Sequence, residues 1–299
     1  MELPLPELPA FDYLHASSAQ HALEQLGGSI ARTRVLSGGT DLFVQMRAGS
    51  IAPTELIDLK HIPGLATIEF DENSGLTIGA AATMNAVARD PEVQANYPLL
   101  VRALETVASY QLRNRATIGG NLCNASPAAD SAPSLLVLGS RLTLESVGGQ
   151  RELALNDFFK GPGETALTPG EILTKISLPL APTGWKGRYL KLGRNTSGDL
   201  AIVGVAVLGF PDPEPTSGFR FRIALASVAP TPIRVADAEE LLETTTLSDE
   251  SIEQAARIAQ DLARPISDAR ASAEYRRAMV FELTAWALKD VRQMLEEEA

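Results

Sequence analysis

Residues 113–130 concentrate groups able to bind a polar ligand: Arg113-Asn114-Arg115-Ala116-Thr117-Ile118-Gly119-Gly120-Asn121-Leu122-Cys123-Asn124-Ala125-Ser126-Pro127-Ala128-Ala129-Asp130. A glycine pair, the hydroxyls of Thr117 and Ser126, the carboxamides of Asn121 and Asn124 and the carboxylate of Asp130 surround a short apolar step that reads as β-like. Backbone N–H groups bared by glycine can cradle a phosphate, while the short polar side chains serve a sugar or a heterocyclic ring. That combination suits a large nucleotide cofactor. A second glycine loop, Ser37-Gly38-Gly39-Thr40-Asp41, leaves an apolar strand and enters a helical turn. Successive glycines there form an anion nest, and the helix start adds a favourable dipole. Thr40 can donate its hydroxyl. Asp41 would repel a phosphate, so it is expected to point away or to cap the helix.

Each loop has a plainer reading. The first could be a tight turn with a cap, and Gly119-Gly120 could be a strand bulge. Asp130 could accept from an imide N–H or a sugar hydroxyl, or cap a helix over 131–139, where Ser131 and Pro133 favour a helix start. Neither loop matches G-x-G-x-x-G, so a Rossmann fold is not supported.

The elements that must position these loops follow from hydrophobic spacing. A short helix is expected over 17–27, stopped by Gly27-Gly28, then a strand over 34–37, a helical turn over 41–47 and a strand over 56–59. These make a compact β–α–β-type unit closing near residue 55. Strands are expected over 75–80, 141–146 and 172–178. Helices are expected over 85–90, 99–110 and 135–138. From about residue 180 an antiparallel meander (189–192, 202–210, 219–228) precedes helices over 235–243, 250–263 and 271–297. In the last, Met279, Val280, Leu283, Trp286, Ala287, Val291 and Met294 form a stripe at helical spacing.

Composition limits the function. The chain has 299 residues, 45% of them hydrophobic, and a formal net charge of -11, which argues against a nucleic-acid partner or an anionic membrane surface. A single cysteine, Cys123, allows no intrachain disulfide and cannot hold an iron–sulfur cluster. Few cations flank it, so a buried inert thiol is expected. Met1 to Pro6 lack the pattern of a signal peptide, and the run from Leu200 to Phe210 is too short to span a bilayer. A cytoplasmic chain without membrane insertion is the expectation. His15, His21 and His61 are scattered and read as surface residues, with no metal-ligand cluster and no nucleophile elbow.

The two loops together resemble the FAD-binding medium subunit of the molybdenum hydroxylases, the family of xanthine dehydrogenase and carbon monoxide dehydrogenase. The resemblance covers essentially the whole chain. It is carried by Ser37-Gly38-Gly39-Thr40-Asp41-Leu42 with Met46-Arg47, and by residues 113–122 running on to Ser126-Pro127 and Asp130. Weaker support comes from Pro169-Gly170-Glu171-Ile172-Leu173, Lys191 with Asp199-Leu200-Ala201, and Ser272-Ala273-Glu274-Tyr275-Arg276-Arg277. The implied fold is α+β: two subdomains (1–55 and 56–179) clasping FAD, then a C-terminal antiparallel sheet with helices (180–299).

The resemblance also implies roles. The backbone of Gly38 to Leu42 and of Thr117 to Gly120, with Ser37 and Ile118 in the same loops, would hold the pyrophosphate. Asn121, Asn124, Ser126 and Asp130 would meet polar edges of the cofactor. Leu173 would lie on the flavin ring and, with Ile118, would shield it from water, Lys191 would approach its polar end, and Asp199-Leu200 would control access. On the residues alone, Lys191 reads as a surface lysine at a strand end, and Leu173 and Ile118 read as core. Where many relatives carry an arginine pair, Gly193-Arg194-Asn195-Thr196 has one, and a cysteine-rich insertion known in some relatives is absent. The implied activity is electron transfer from a small subunit with 2Fe–2S clusters to an external acceptor. Substrate hydroxylation would fall to a large molybdenum-cofactor subunit, in a dimer of heterotrimers. The C-terminal helices and region 153–170 are the expected docking surfaces. The alternatives are a stand-alone flavin-dependent reductase or oxidase, and a flavin-free scaffold subunit.

Overall fold

A computed structural model describes residues 7–27, 32–195 and 198–297. The N-terminal Met1–Pro6 segment, Gly28 and Thr196 lie outside the described residues. The first unit is a three-stranded parallel sheet in the order β1-β3-β2: β1 (Asp12–His15), β2 (Thr33–Leu36) and β3 (Glu55–Asp58). Two helices connect the strands, α1 (Ala19–Leu26) and α2 (Leu42–Arg47). Parallel strands require crossovers, and α1 and α2 supply them. Ser18 caps α1 by accepting from His21 N, and Gly27, at φ 49°, ends it in the left-handed region. A division after residue 55 would cut β3, the central strand, so the first unit runs on at least to Asp58.

The second unit opens with β4 (Ile68–Asp71) and β5 (Gly75–Gly79). Then come the helices α3 (Met84–Arg89), α4 (Pro91–Asn96), α5 (Pro98–Glu105), α6 (Tyr110–Arg113), α7 (Ile118–Asn124) and α8 (Ser131–Val137). It closes with β6 (Arg141–Ser146), β7 (Gly149–Ala154), the short hairpin of β8 (Phe159–Gly161) and β9 (Glu164–Thr165), and β10 (Ile172–Leu178). The sheet order is β4-β5-β10-β6-β7. The helix expected over 99–110 stops at Glu105. Ala108 adopts φ 44°, and the ammonium of Lys191 takes the exposed carbonyl of Thr106 at 2.8 Å. Such a cation at a helix end satisfies an orphan carbonyl and favours termination.

The third unit is a four-stranded antiparallel sheet: β11 (Lys186–Leu192), β12 (Val203–Pro211), β13 (Phe219–Ala226) and β14 (Ile233–Arg234). It is followed by α9 (Ala236–Thr244), α10 (Asp249–Leu262) and α11 (Ala273–Glu296). Side chains of β12 alternate between two cores. Val203, Val205 and Val207 pack with the C-terminal helices, while Ala206, Leu208 and Phe210 join the central core of the second unit. Trp286 does not belong to the buried stripe of α11: it is 58% exposed, while Val280, Ala287 and Val291 are buried. Among the described residues no helix is long and apolar enough to cross a membrane.

Candidate functional site

The two glycine loops meet. Ser37 Oγ lies 3.0 Å from Thr117 Oγ1, a hydrogen bond across 80 residues of chain. Gly38 sits so close to the second segment that a Cβ would come within 2.3 Å of Arg115 O, so no side chain fits there. Gly39 takes φ 76°, and a Cβ on it would press Phe43 and Leu36. The loop therefore runs at close quarters without side chains, with its amides exposed. No hydrogen bond within the described chain engages the N–H groups of Gly38, Gly39, Thr40, Asp41 or Leu42. Five successive unpartnered amides on a cavity wall are a binding surface for anionic oxygens.

The second segment differs from its sequence reading. Only Thr117 is β-like, extended and bridged to Thr83; Gly119-Gly120 is no strand bulge, because residues 118–121 form the first turn of α7. Thr117 is the N-cap and accepts from Gly120 N at 3.0 Å. Ile118 N donates to Ala82 O and Gly119 N to Ala80 O. The amides of Ile118, Gly119 and Gly120 are thus already engaged, and the expectation that they hold a pyrophosphate is corrected. Gly119 is required for another reason: a Cβ would lie 2.5 Å from Ala80 O, so glycine lets α7 seat against that backbone. Ile118 is fully buried core and does not reach the cavity wall.

Between the loops lies a cavity of about 970 Å³. Its walls include Ser37 to Leu42, Thr117, Gly119 to Asn121, Asn124, Ser126, Asp130 and Leu173. Asn121 Oδ1 accepts from Ser131 Oγ at 2.7 Å and Asn124 Oδ1 from Gln45 Nε2 at 3.2 Å. Both carboxamides keep their N–H donors. Leu173 is 4% exposed, on the central strand of its sheet, beside a β-bulge between Leu173 and Lys175, an irregularity that re-aims side chains next to a binding site. Gly198, Asp199 and Leu200 close the wall from the third unit. Asp41 holds the N-cap position of α2 without a side-chain cap bond and lies on the cavity wall, so it neither caps nor turns fully away.

Asp130 does not cap its helix. Its Oδ1 accepts from Tyr189 Oη at 2.8 Å and its Oδ2 from Lys191 Nζ at 2.7 Å. Burial pushes its carboxyl up, while Lys191 and then Tyr189 oppose the shift. Lys191 is neither a surface residue nor a wall residue. Its side chain is 10% exposed and is held behind Asp130 by that carboxylate and Thr106 O. Cys123 is half-buried and borders the cavity, so it is not the fully buried thiol expected; desolvation pushes its thiol up to about 12, which disfavours the thiolate.

Sequence reasoning missed several wall residues. Arg34 and Lys160 line the cavity with no ion-pair partner among the described residues. The β8–β9 hairpin, part of the 153–170 region expected to dock partners, contributes to the cavity wall, tied down by Gly163 N donating to Ala125 O at 3.1 Å. Its glycines gave a turn signal, with nothing to say which surface it would cover. The loop before Leu173 is clamped by Arg151, which donates from Nε and Nη2 to Glu171 at 2.7 and 2.8 Å, while Thr168 N also donates to Glu171.

An α+β chain with a dinucleotide-sized cavity between glycine loops defines a cofactor-binding protein. Comparison with known proteins gives the kind. Residues 9–181 match the FAD binding domain in molybdopterin dehydrogenase, and residues 188–291 match the CO dehydrogenase flavoprotein C-terminal domain. The carbon monoxide dehydrogenase medium chain of Hydrogenophaga pseudoflava is 33% identical over 280 residues, covering 94% of this chain and 96% of that one. The xanthine dehydrogenase FAD-binding subunit of Escherichia coli O157:H7 is 31% identical, covering 91% and 92%. Among solved structures, carbon monoxide dehydrogenase from H. pseudoflava superposes with a TM-score of 0.91 at 33% identity, covering 96% of this chain and 99% of that one. Quinoline 2-oxidoreductase from Pseudomonas putida 86 gives 0.87 at 27% identity, covering 96% and 98%. The chain belongs to the family of FAD-binding medium subunits of molybdenum hydroxylases.

Proposed function

We propose that this chain is the FAD-carrying electron-transfer subunit of a molybdenum hydroxylase complex. It takes electrons from a small iron–sulfur subunit and passes them to an external acceptor. The observation that carries the reading is the run of unpartnered amides from Gly38 to Leu42 on the wall of a cavity to which all three sheet-bearing units contribute. FAD, when bound, supplies one- and two-electron redox chemistry that no side chain provides.

The chain's residues hold and shape. The amides of Gly38, Gly39, Thr40, Asp41 and Leu42, with the guanidinium of Arg34, bind the diphosphate. The hydroxyls of Ser37, Thr40 and Thr117 border it, and Gly120 leaves room beside them. Asn121 and Asn124 donate their free N–H groups to polar cofactor edges, with Ser126 alongside. Asp130 accepts a hydrogen bond on a lone pair not used by Tyr189 or Lys191. Lys191 acts behind it by fixing its position and charge. Leu173 and Leu200 keep water from the ring.

Substrate hydroxylation belongs in this reading to a large molybdenum-cofactor subunit, and the assembly is a cytoplasmic dimer of heterotrimers. Purification from the native host, with flavin, molybdenum and iron analysis, tests the proposal. A yellow chain travelling with both metals supports it. A colourless chain that takes up no FAD overturns it. A yellow chain free of molybdenum and iron would point to the stand-alone reductase.

A further inference from the structure

The geometry points to a site for a borderline transition-metal dication, of the zinc, cobalt or copper class, formed by His15, Asp58 and His61 at the C-terminal edge of the parallel sheet. His15 ends β1 and Asp58 ends β3, and the two are register partners. Partners on neighbouring strands send their side chains to the same face. The turn after β3 then brings His61 back, with its ring centroid 5.8 Å from that of His15. One ligand atom from each of the three residues lies within 4.8 Å of the others. Ligands around a tetrahedral zinc stand about 3.4 Å apart, from bond lengths near 2.05 Å. The remaining closure falls to the imidazoles: both histidines are exposed, the His15 side chain at 65% with its ring edge-on to Tyr13, so their rings can turn inward without displacing core side chains.

The fixed member is the carboxylate, whose side chain is wholly buried. Lys60 N donates to Oδ1 at 2.9 Å, and Tyr13 Oη donates to Oδ2. Such outer donors orient a metal-ligating carboxylate. Lys60 Nζ already occupies a cation position 2.8 Å from Oδ2, on a side chain 24% exposed. Loading therefore proceeds by exchange: the ammonium swings to solvent and the dication takes its place. Two imidazoles and one carboxylate select zinc, cobalt or copper over calcium and magnesium, which prefer all-oxygen shells. None of the three ligands lines the large cavity, so the site is separate from the cofactor wall. It would tie β1 to the turn after β3. Leu59 N in that turn donates to Leu36 O, the residue before the phosphate-facing loop.

Titration of the purified full-length chain, dialysed against EDTA, with Co²⁺ tests the site by calorimetry and by visible d–d absorption. One equivalent is expected to bind. H15A and H61A should each weaken binding by more than about tenfold. K60M should tighten it by roughly fivefold or more, because no ammonium competes. Flavin content should be the same in all three variants, since the residues lie away from the cofactor wall. Cobalt bound equally by the parent and both histidine variants would mark adventitious ions and overturn the proposal. So would K60M binding no tighter than the parent.

Discussion

At the scale of single residues, the glycines of the two loops do different work, and substitution separates them. A Cβ at Gly38 would meet backbone, Arg115 O at 2.3 Å and Ala116 Cα at 2.9 Å, with no flexible group to yield. Gly38→Ala should cost about 2 kcal/mol or more, as overpacking does, and empty the site. A Cβ at Gly120 meets only the Thr117 hydroxyl at 2.8 Å. Gly120→Ala should keep the fold to within about 1 kcal/mol, since alanine favours the helix, yet still weaken FAD binding by intruding on the cavity. Denaturant melts and the flavin absorbance of the purified variants check both. Lys191 gives a second test. Lys191→Met would leave the Asp130 carboxylate buried against Tyr189 alone and should destabilise the protein by about 3 kcal/mol near pH 8. Burial already holds that carboxyl above its ordinary 3.8, and losing the ammonium raises it further. A group raised in the folded state penalises folding above its folded pKa, and the penalty fades as pH falls through it. The deficit in urea melts should therefore shrink as pH falls from 8 toward the ordinary carboxyl value of 3.8, whereas a deficit constant with pH would contradict this account. At this scale the sequence singled out two glycine segments that the structure brings to one cavity wall, but glycine alone did not tell an amide nest at 38–39 from a helix-packing pair at 119–120. Lys191 was not: Tyr189 and Lys191 share a face of β11 by period two, but no local pattern announces the buried aspartate 59 residues from the tyrosine.

Among elements, the wall bearing Leu173 depends on a clamp. Arg151, through its paired hydrogen bonds and charge, holds the Glu171 carboxyl at about 2, against an ordinary 4.5; burial opposes it and the Thr168 N–H assists. A carboxyl depressed in the folded state contributes its full stability above the unfolded pKa and loses it as pH falls toward the folded one. The Arg151 side chain is 41% exposed, so screening limits the pair to roughly 1 kcal/mol. Arg151→Met should lower stability by that amount at pH 7, and the gap to the parent should close between about pH 4.5 and pH 2. Chemical denaturation at three pH values measures it. The order of elements was largely readable, because apolar residues at period two or 3.6 mark α1, β5, β6, β10, the meander and the last three helices. The failures have physical causes. α7 begins Ile-Gly-Gly, poor helix formers, and is held by the Thr117 cap and by Gly119 packed on Ala80. The expected long helix over 99–110 ends at Glu105, where a lysine from β11 captures Thr106 O. β1, β4, β7 and the β8–β9 hairpin were not foreseen; these strands are short or largely exposed, and their pairing is set by distant partners.

For the whole molecule, the decisive feature is that one strand serves two cores. Val203, Val205 and Val207 complete the C-terminal helical core, while Ala206 and Leu208, fully buried on the other face, complete the core that carries α7 and α8. Polar ties reinforce the sharing. Tyr189 and Lys191 hold Asp130, Ser227 N donates to Pro127 O at 2.7 Å, and Arg222 Nη1 donates to Val137 O at 3.1 Å. Arg276, 3% exposed at the start of α11, binds Ile202 O and Ser227 O, linking the long helix to the loops that carry these ties. Two units that share a buried strand cannot lose one without exposing the other, so their unfolding is coupled. Flavin release and loss of the C-terminal helices should then occur together. In a denaturant series, flavin fluorescence, far-ultraviolet circular dichroism and tryptophan emission should trace coincident transitions; Trp185 reports from the central core and Trp286 from α11. A fragment ending at residue 181 should bind no FAD and should bind a hydrophobic dye, because the core surface normally covered by Ala206, Leu208 and Phe210 would be bare. Flavin lost well before the α11 signal changes, or a dye-silent fragment that binds FAD, would mean the two cores are independent and that the third unit is only an accessory to the site.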